Sequence, residues 1–149
     1  MKTPVIYLIG SLRNPEIPFI GDQLRLRGFE VFDDWFAAGP IADDSWQEYE
    51  KGRGTSYEQA LKNYAARHVF AFDLHHLNRA DMAVLALPAG KSGHLELGYM
   101  AGRGKPTYIL FDKEPERWDC MYQFADDVYF DVSKLGDDLA NAYLFPVSR

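Results

Sequence analysis

The stretch Ala89-Gly90-Lys91-Ser92-Gly93-His94-Leu95-Glu96-Leu97-Gly98-Tyr99 runs from an apolar segment into a helical one and holds the chain's best chemical group. Its small residues let a ligand approach the backbone, as an anion or sugar cradle does, which makes Lys91, Ser92 and Gly93 candidate contacts. Glu96 falls in the first turn of a helix predicted over His94 to Gly102. There the macrodipole favours the ionised carboxylate, a form that can act as a nucleophile. The alternative is an acid that only complements the dipole. Gly90-Lys91-Ser92 is not a phosphate-binding P-loop, because that motif needs a glycine five positions before Gly90, where Leu85 stands.

Asp73 sits in Phe70-Ala71-Phe72-Asp73-Leu74. Apolar neighbours would desolvate it, raise its affinity for a proton and let it share that proton with a purine or pyrimidine ring; the alternative is a solvated helix acid. Asp81, in Asn78-Arg79-Ala80-Asp81, reads instead as a helix end or a partner of Arg79. Tyr7 lies in the middle of an apolar run, where its hydroxyl can reach a carboxylate or simply fill a core. Gly10, Ser11 and Arg13 follow it. A serine hydroxyl and a planar guanidinium suit a sugar hydroxyl or a phosphate, although Arg13 also reads as a surface charge. In Asp33-Asp34-Trp35-Phe36 acids stand beside aromatic faces, so Trp35 can stack a base or cover the core.

Four histidines, His68, His75, His76 and His94, show no metal spacing, and the chain has one cysteine, so neither a metal nor another cofactor is called for. Cys120, next to Met121, reads as a buried or half-buried thiol without an internal disulfide, in keeping with a reducing cytoplasm.

These groups need a scaffold that gathers them. Val5 to Ile9, Glu30 to Phe32, Met82 to Leu87, Thr107 to Phe111 and Val128 to Phe130 read as strands. Glu16 to Arg27, Ser56 to Leu77, His94 to Gly102 and Ser133 to Tyr143 have helical spacing, with a short turn over Glu116 to Tyr122. The alternation predicts an α/β fold, a flavodoxin-like three-layer sandwich on a five-stranded, mainly parallel sheet of order 2-1-3-4-5. Ligands bind where the winding reverses, between strands 1 and 3, and this brings the loop after strand 1 beside Pro88 to Gly93. With no repeat, linker or low-complexity tract, residues 1–149 read as one domain. A net charge of −6 without clustered Lys and Arg argues against a nucleic acid polymer and for a small-molecule ligand. The apolar start is broken by Pro4, too short for a membrane span or a signal core, so no membrane partner is expected.

Val5-Ile6-Tyr7-Leu8-Ile9-Gly10-Ser11 with Arg13, then Asp73, then His94-Leu95-Glu96-Leu97-Gly98-Tyr99, resembles the nucleoside 2-deoxyribosyltransferase superfamily, in the right order over most of the chain. The resemblance implies Glu96 as nucleophile on the sugar C1′, Asp73 as the acid that assists the base, and Tyr7 as the residue that orients the nucleophile. It implies a retaining mechanism through a glycosyl-enzyme intermediate. The family divides into transferases on deoxynucleosides and N-glycosidases on nucleoside 5′-monophosphates. The Ser11/Arg13 loop and Lys91-Ser92 resemble phosphate-side features of the hydrolases. Trp118-Asp119-Cys120-Met121 is similar to a transferase segment that crosses to a neighbouring subunit, with Asp119 and Met121 as its contacts. The resemblance therefore implies a homo-oligomer with shared active sites, with Trp118 and Tyr122 suited to its interface. Phe36 to Thr55, containing Trp46 and Tyr49, departs from the short transferases. Two other readings stay open: a TIR-like glycohydrolase acting on NAD, and a non-catalytic nucleotide-sensing module.

Overall fold

In the computed structural model, residues 2–145 are described. Strands β1 (Val5–Ile9) and β3 (Met82–Ala86) are buried at every position, as strands covered on both faces must be, and for that reason they read as unbroken apolar runs. β2 (Glu30–Phe32), β4 (Thr107–Leu110) and β5 (Asp127–Tyr129) complete a sheet of order β2-β1-β3-β4-β5 in which every neighbouring pair is parallel. The predicted order holds, and β1 and β3 lie side by side with Tyr7 opposite Ala83.

Alternate side chains build the two cores. Ile6, Leu8, Met82 and Val84 face α1 (Ile17–Leu26) and α6 (Val132–Tyr143), packing with Ile17, Leu24, Leu135 and Leu139. Tyr7, Ile9, Ala83, Leu85 and Ile109 face the opposite layer, where Leu77 of α4 (Tyr64–Arg79) and Leu97 and Met100 of α5 (Lys91–Gly102) cover them.

The 3-10 helix Asp34–Ala38 has no counterpart in the sequence expectation, the turn expected over Glu116 to Tyr122 lies at Cys120–Phe124, and three helices differ as well. The helix predicted over Ser56 to Leu77 is divided into α3 (Tyr57–Ala60) and α4, because Asn63 adopts an extended backbone where its amide donates to the buried Glu50 carboxylate at 2.7 Å. Glu50 belongs to α2 (Ala42–Gly52), a helix in the Phe36 to Thr55 stretch to which the sequence reading assigned no element. α5 opens at Lys91, three residues before the predicted start. Gly93 lets this turn lie close to the sheet: a Cβ there would stand 3.1 Å from Leu85 and 3.2 Å from Ile9, tighter than ordinary contact.

Asp81 follows the end of α4 but does not pair with Arg79. Its carboxylate accepts the Val5 N–H at 2.8 Å and ties the start of β1 to β3, while Arg79 pairs with Glu30. The last carbonyls of α4 are met by Lys105, whose ammonium donates to Leu77, Asn78 and Ala80 at 3.2, 2.8 and 2.7 Å. The end of the helix that carries Asp73 is thereby fixed. Among the described residues no helix is long and apolar enough to cross a membrane, and no group of three or more His, Cys, Asp or Glu side chains is placed to hold a metal ion.

Candidate active site

Helix periodicity aims two carboxylates at one tyrosine. On α5, Gly93, Leu97 and Met100 form the buried stripe against the sheet, and Glu96 flanks it, three residues after Gly93 and one before Leu97. On α4, Leu77 is the buried residue, and Asp73 lies one turn before it on the same face. Both therefore converge on Tyr7, which is buried in the middle of β1. The three groups feel one another: the charges of Glu96 and Asp73 both disfavour ionisation of the phenol.

Burial dominates the electrostatics. It pushes the Glu96 carboxyl up to about 7 from an ordinary 4.5; a hydrogen bond from Tyr7 opposes the rise, and the nearby Asp73 charge adds to it. Oxygen Oε2 of Glu96 is buried without a hydrogen-bond partner among the described residues. Asp73 is also raised, by burial, and Tyr7 is raised far enough by burial and the two acids to stay protonated. The sequence expectation that the helix start holds Glu96 ionised is corrected here. Glu96 is the sixth residue of α5, in its second turn, where the dipole effect has faded, and desolvation outweighs it. The result is a pair of carboxyl groups whose proton affinities are lifted toward neutrality, beside a phenol that donates. Such a pair can divide the roles of nucleophile and general acid.

Aromatic rings wall this group on the β2 side. Phe32 lies 5.1 Å from the Tyr7 ring and stacks on His76 at 3.8 Å, with Phe72 edge-on to His76 at 4.8 Å. Burial lowers the proton affinity of His76, so the ring stacks in its neutral form. Sequence reasoning passed over Phe32, Phe72 and His76. The signal available was the spacing of Phe72, Asp73 and His76, which falls on adjoining strips of one helix face.

The other predicted contacts surround this centre to different degrees. Trp35 packs between both cores and donates its indole N–H to the Leu8 carbonyl at 2.8 Å, which fixes the ring at the end of β1. At Gly10 a Cβ would meet Ile17 at 2.5 Å, so the turn after β1 packs closely on α1. The Ser11 hydroxyl accepts the Arg13 N–H at 3.0 Å, and the Arg13 guanidinium turns to α2, pairing with Asp43 and Asp44 at 3.2 and 3.0 Å. Lys91 and Ser92 are exposed on the first turn of α5. Asp119 and Met121 are exposed as well, with the Asp119 carboxylate accepting the Met121 N–H at 2.8 Å. Cys120, expected to be buried or half-buried, is exposed, because the 3-10 turn Cys120–Phe124 holds no buried residue and only Tyr122 of it packs against the core.

No family model and no curated protein matches the chain. Solved structures do. A 2-deoxyribosyltransferase from the psychrotolerant bacterium Bacillus psychrosaccharolyticus superposes with a TM-score of 0.64 at 20% identity, covering 89% of this chain and 90% of its own. The CMP N-glycosidase of Clostridium botulinum superposes with a TM-score of 0.55 at 13% identity, covering 92% of this chain and 99% of its own. The protein therefore has the α/β fold of these two enzymes, both of the kind its sequence motifs resemble.

Proposed function

We propose that the protein cleaves the N-glycosidic bond of a nucleoside or nucleoside 5′-monophosphate with retention, passing the sugar to a second base or to water. The observation that carries this reading is the convergence of Glu96, Asp73 and Tyr7, with both carboxyl groups raised by burial. A carboxylate oxygen of Glu96 attacks C1′ as the bond from C1′ to the base nitrogen breaks. The base leaves with the bonding electrons and takes the proton that burial favours on Asp73. Tyr7 holds the Glu96 carboxylate in line until an incoming base or water attacks C1′, displaces the carboxylate and gives up its proton to Asp73, which is thereby restored. The two structural neighbours, a 2-deoxyribosyltransferase and a CMP N-glycosidase, support chemistry at this bond.

The test is to incubate the protein with deoxynucleosides, ribonucleosides, their 5′-monophosphates and NAD, with and without an acceptor base, and to chromatograph the bases released. No release from any of them would overturn the reading, and release confined to nicotinamide from NAD would favour the TIR-like alternative. In Asp73→Asn the amide cannot supply the proton, and turnover of the active substrate is expected to fall about 100-fold or more with the fold retained. An unchanged rate removes Asp73 from the proton path.

We also infer a homo-oligomer in the cytoplasm. Among the sixteen residues of α4 only Leu77 is buried, while Tyr64, Val69 and Phe70 stand exposed on the helix that carries Asp73. A second copy covering these side chains would bury exposed apolar surface beside the site, in addition to the Trp118 to Tyr122 segment that the family resemblance places at a subunit contact. Phe70→Arg is expected to convert the oligomer to a monomer by light scattering; a wild-type chain that runs as a monomer at working concentration sinks the inference.

A further inference from the structure

Residues 112–124, between β4 and β5, have little burial of their own: all but Pro115 and Tyr122 are exposed. A run of this length without buried side chains has many conformations open to it, and something must select one. Tyr122 is where the selection is made. Its ring stacks on His94 at 5.6 Å with an interplanar angle of 21°, tilts against Phe111 at 5.7 Å, and brings its hydroxyl 2.7 Å from His94 Nε2. The other ring nitrogen, Nδ1, lies 2.8 Å from the Gly90 carbonyl oxygen. A carbonyl only accepts, so Nδ1 carries a proton, and in the tautomer this selects, Nε2 has the lone pair. Burial, together with the charge of Asp119, keeps the Tyr122 phenol protonated, and it donates to that lone pair.

Both nitrogens of His94 are thus committed, one to the first turn of its own helix and one to the segment after β4. His94 stands two residues before Glu96 on α5. Tyr122 directly follows Met121, whose N–H already orients the Asp119 carboxylate. We propose that His94 and Tyr122 are a positioning pair, whose hydrogen bond fixes residues 112–124 on the helix that bears Glu96 and holds Asp119 and Met121, the contacts that the family resemblance implies, in one preformed arrangement. The pair rests on the proposed function for its consequence, and on its own geometry for its existence. Preformed contacts lower the ordering cost of binding, so the pair acts on KM.

Tyr122→Phe removes the hydroxyl and keeps the ring; His94→Leu removes the acceptor; His94→Gln keeps an acceptor oxygen. The first two are each expected to raise KM about tenfold, the effect of one hydrogen bond, with kcat within about twofold and the acid limb of the pH profile unmoved. The double variant should be no worse than either single one, and His94→Gln should fall between His94→Leu and the wild type. Unchanged KM, additive effects in the double variant, or a fall in kcat and thermal stability with KM unaffected would overturn the proposal. If the wild-type protein releases no base from any substrate, the proposed function fails. The pair is then judged by amide hydrogen exchange at Met121 to Gln123, where at least tenfold faster exchange in Tyr122→Phe upholds it and unaltered exchange overturns it.

Discussion

Glu96→Gln is expected to abolish base release to within the sensitivity of the assay, a loss on the order of 10³-fold or more, while the protein stays folded. The substitution isolates charge from shape. Glutamine fills the same half-buried space beside Leu97 and still offers Tyr7 a carbonyl oxygen, so the convergence with Asp73 is preserved. What it removes is the ionised oxygen that the proposed mechanism bonds to C1′. Without that bond the remaining groups can only polarise the base and hold the sugar. Glu96→Ala would serve less well, because a cavity beside the sheet adds its own destabilisation to the lost chemistry. Rapid quench of the wild type with a labelled deoxynucleoside should trap a sugar ester on Glu96, and Glu96→Gln should trap none. Wild-type rates in the variant would remove Glu96 from the chemistry.

The parts of the fold legible in the sequence were those in which one physical effect acts alone. β1 and β3 are apolar at every position because both faces are covered, so their runs mark them without help from neighbours. Helices between such runs force parallel pairing, and the order follows. The division between α3 and α4 was not legible, because Asn63 leaves the helix for a carboxylate thirteen residues earlier, on an element whose own pattern is weak. The site divides in the same way. Tyr7, Asp73 and Glu96 could be named from type and resemblance, but the raised proton affinity of Glu96 comes from tertiary burial, and first-turn reasoning gave it the opposite sign. Arg13 shows the same limit. Its pairing with Asp43 and Asp44 depends on where α2 lies, which no local pattern announced.

The burial of Glu96 also makes the protein's stability depend on pH in a direction unusual for a carboxylate. Its proton affinity in the folded state, about 7, exceeds the ordinary 4.5 of the unfolded chain, so between these values the folded protein binds more protons and loses stability as pH rises. Below about 4.5 the group is protonated in both states and imposes no penalty. Above about 7 the penalty is complete, at most about 3 kcal/mol before allowance for partial exposure. Glutamine never ionises and never incurs it. Glu96→Gln is therefore expected to unfold at higher denaturant than the wild type at pH 8, by up to about 3 kcal/mol, with most of that advantage gone at pH 4.5. Other carboxylates titrate in both proteins and cancel in the difference, apart from Asp73, which gains from the lost repulsion and shifts the result the same way. A difference constant across pH would mean that Glu96 ionises normally. The proposed chemistry needs Glu96 charged while Asp73 keeps its proton, so base release is expected to follow a bell-shaped pH profile with one limb from each carboxyl group. A limb whose midpoint coincides with that of the stability difference would identify both with one titration, that of Glu96.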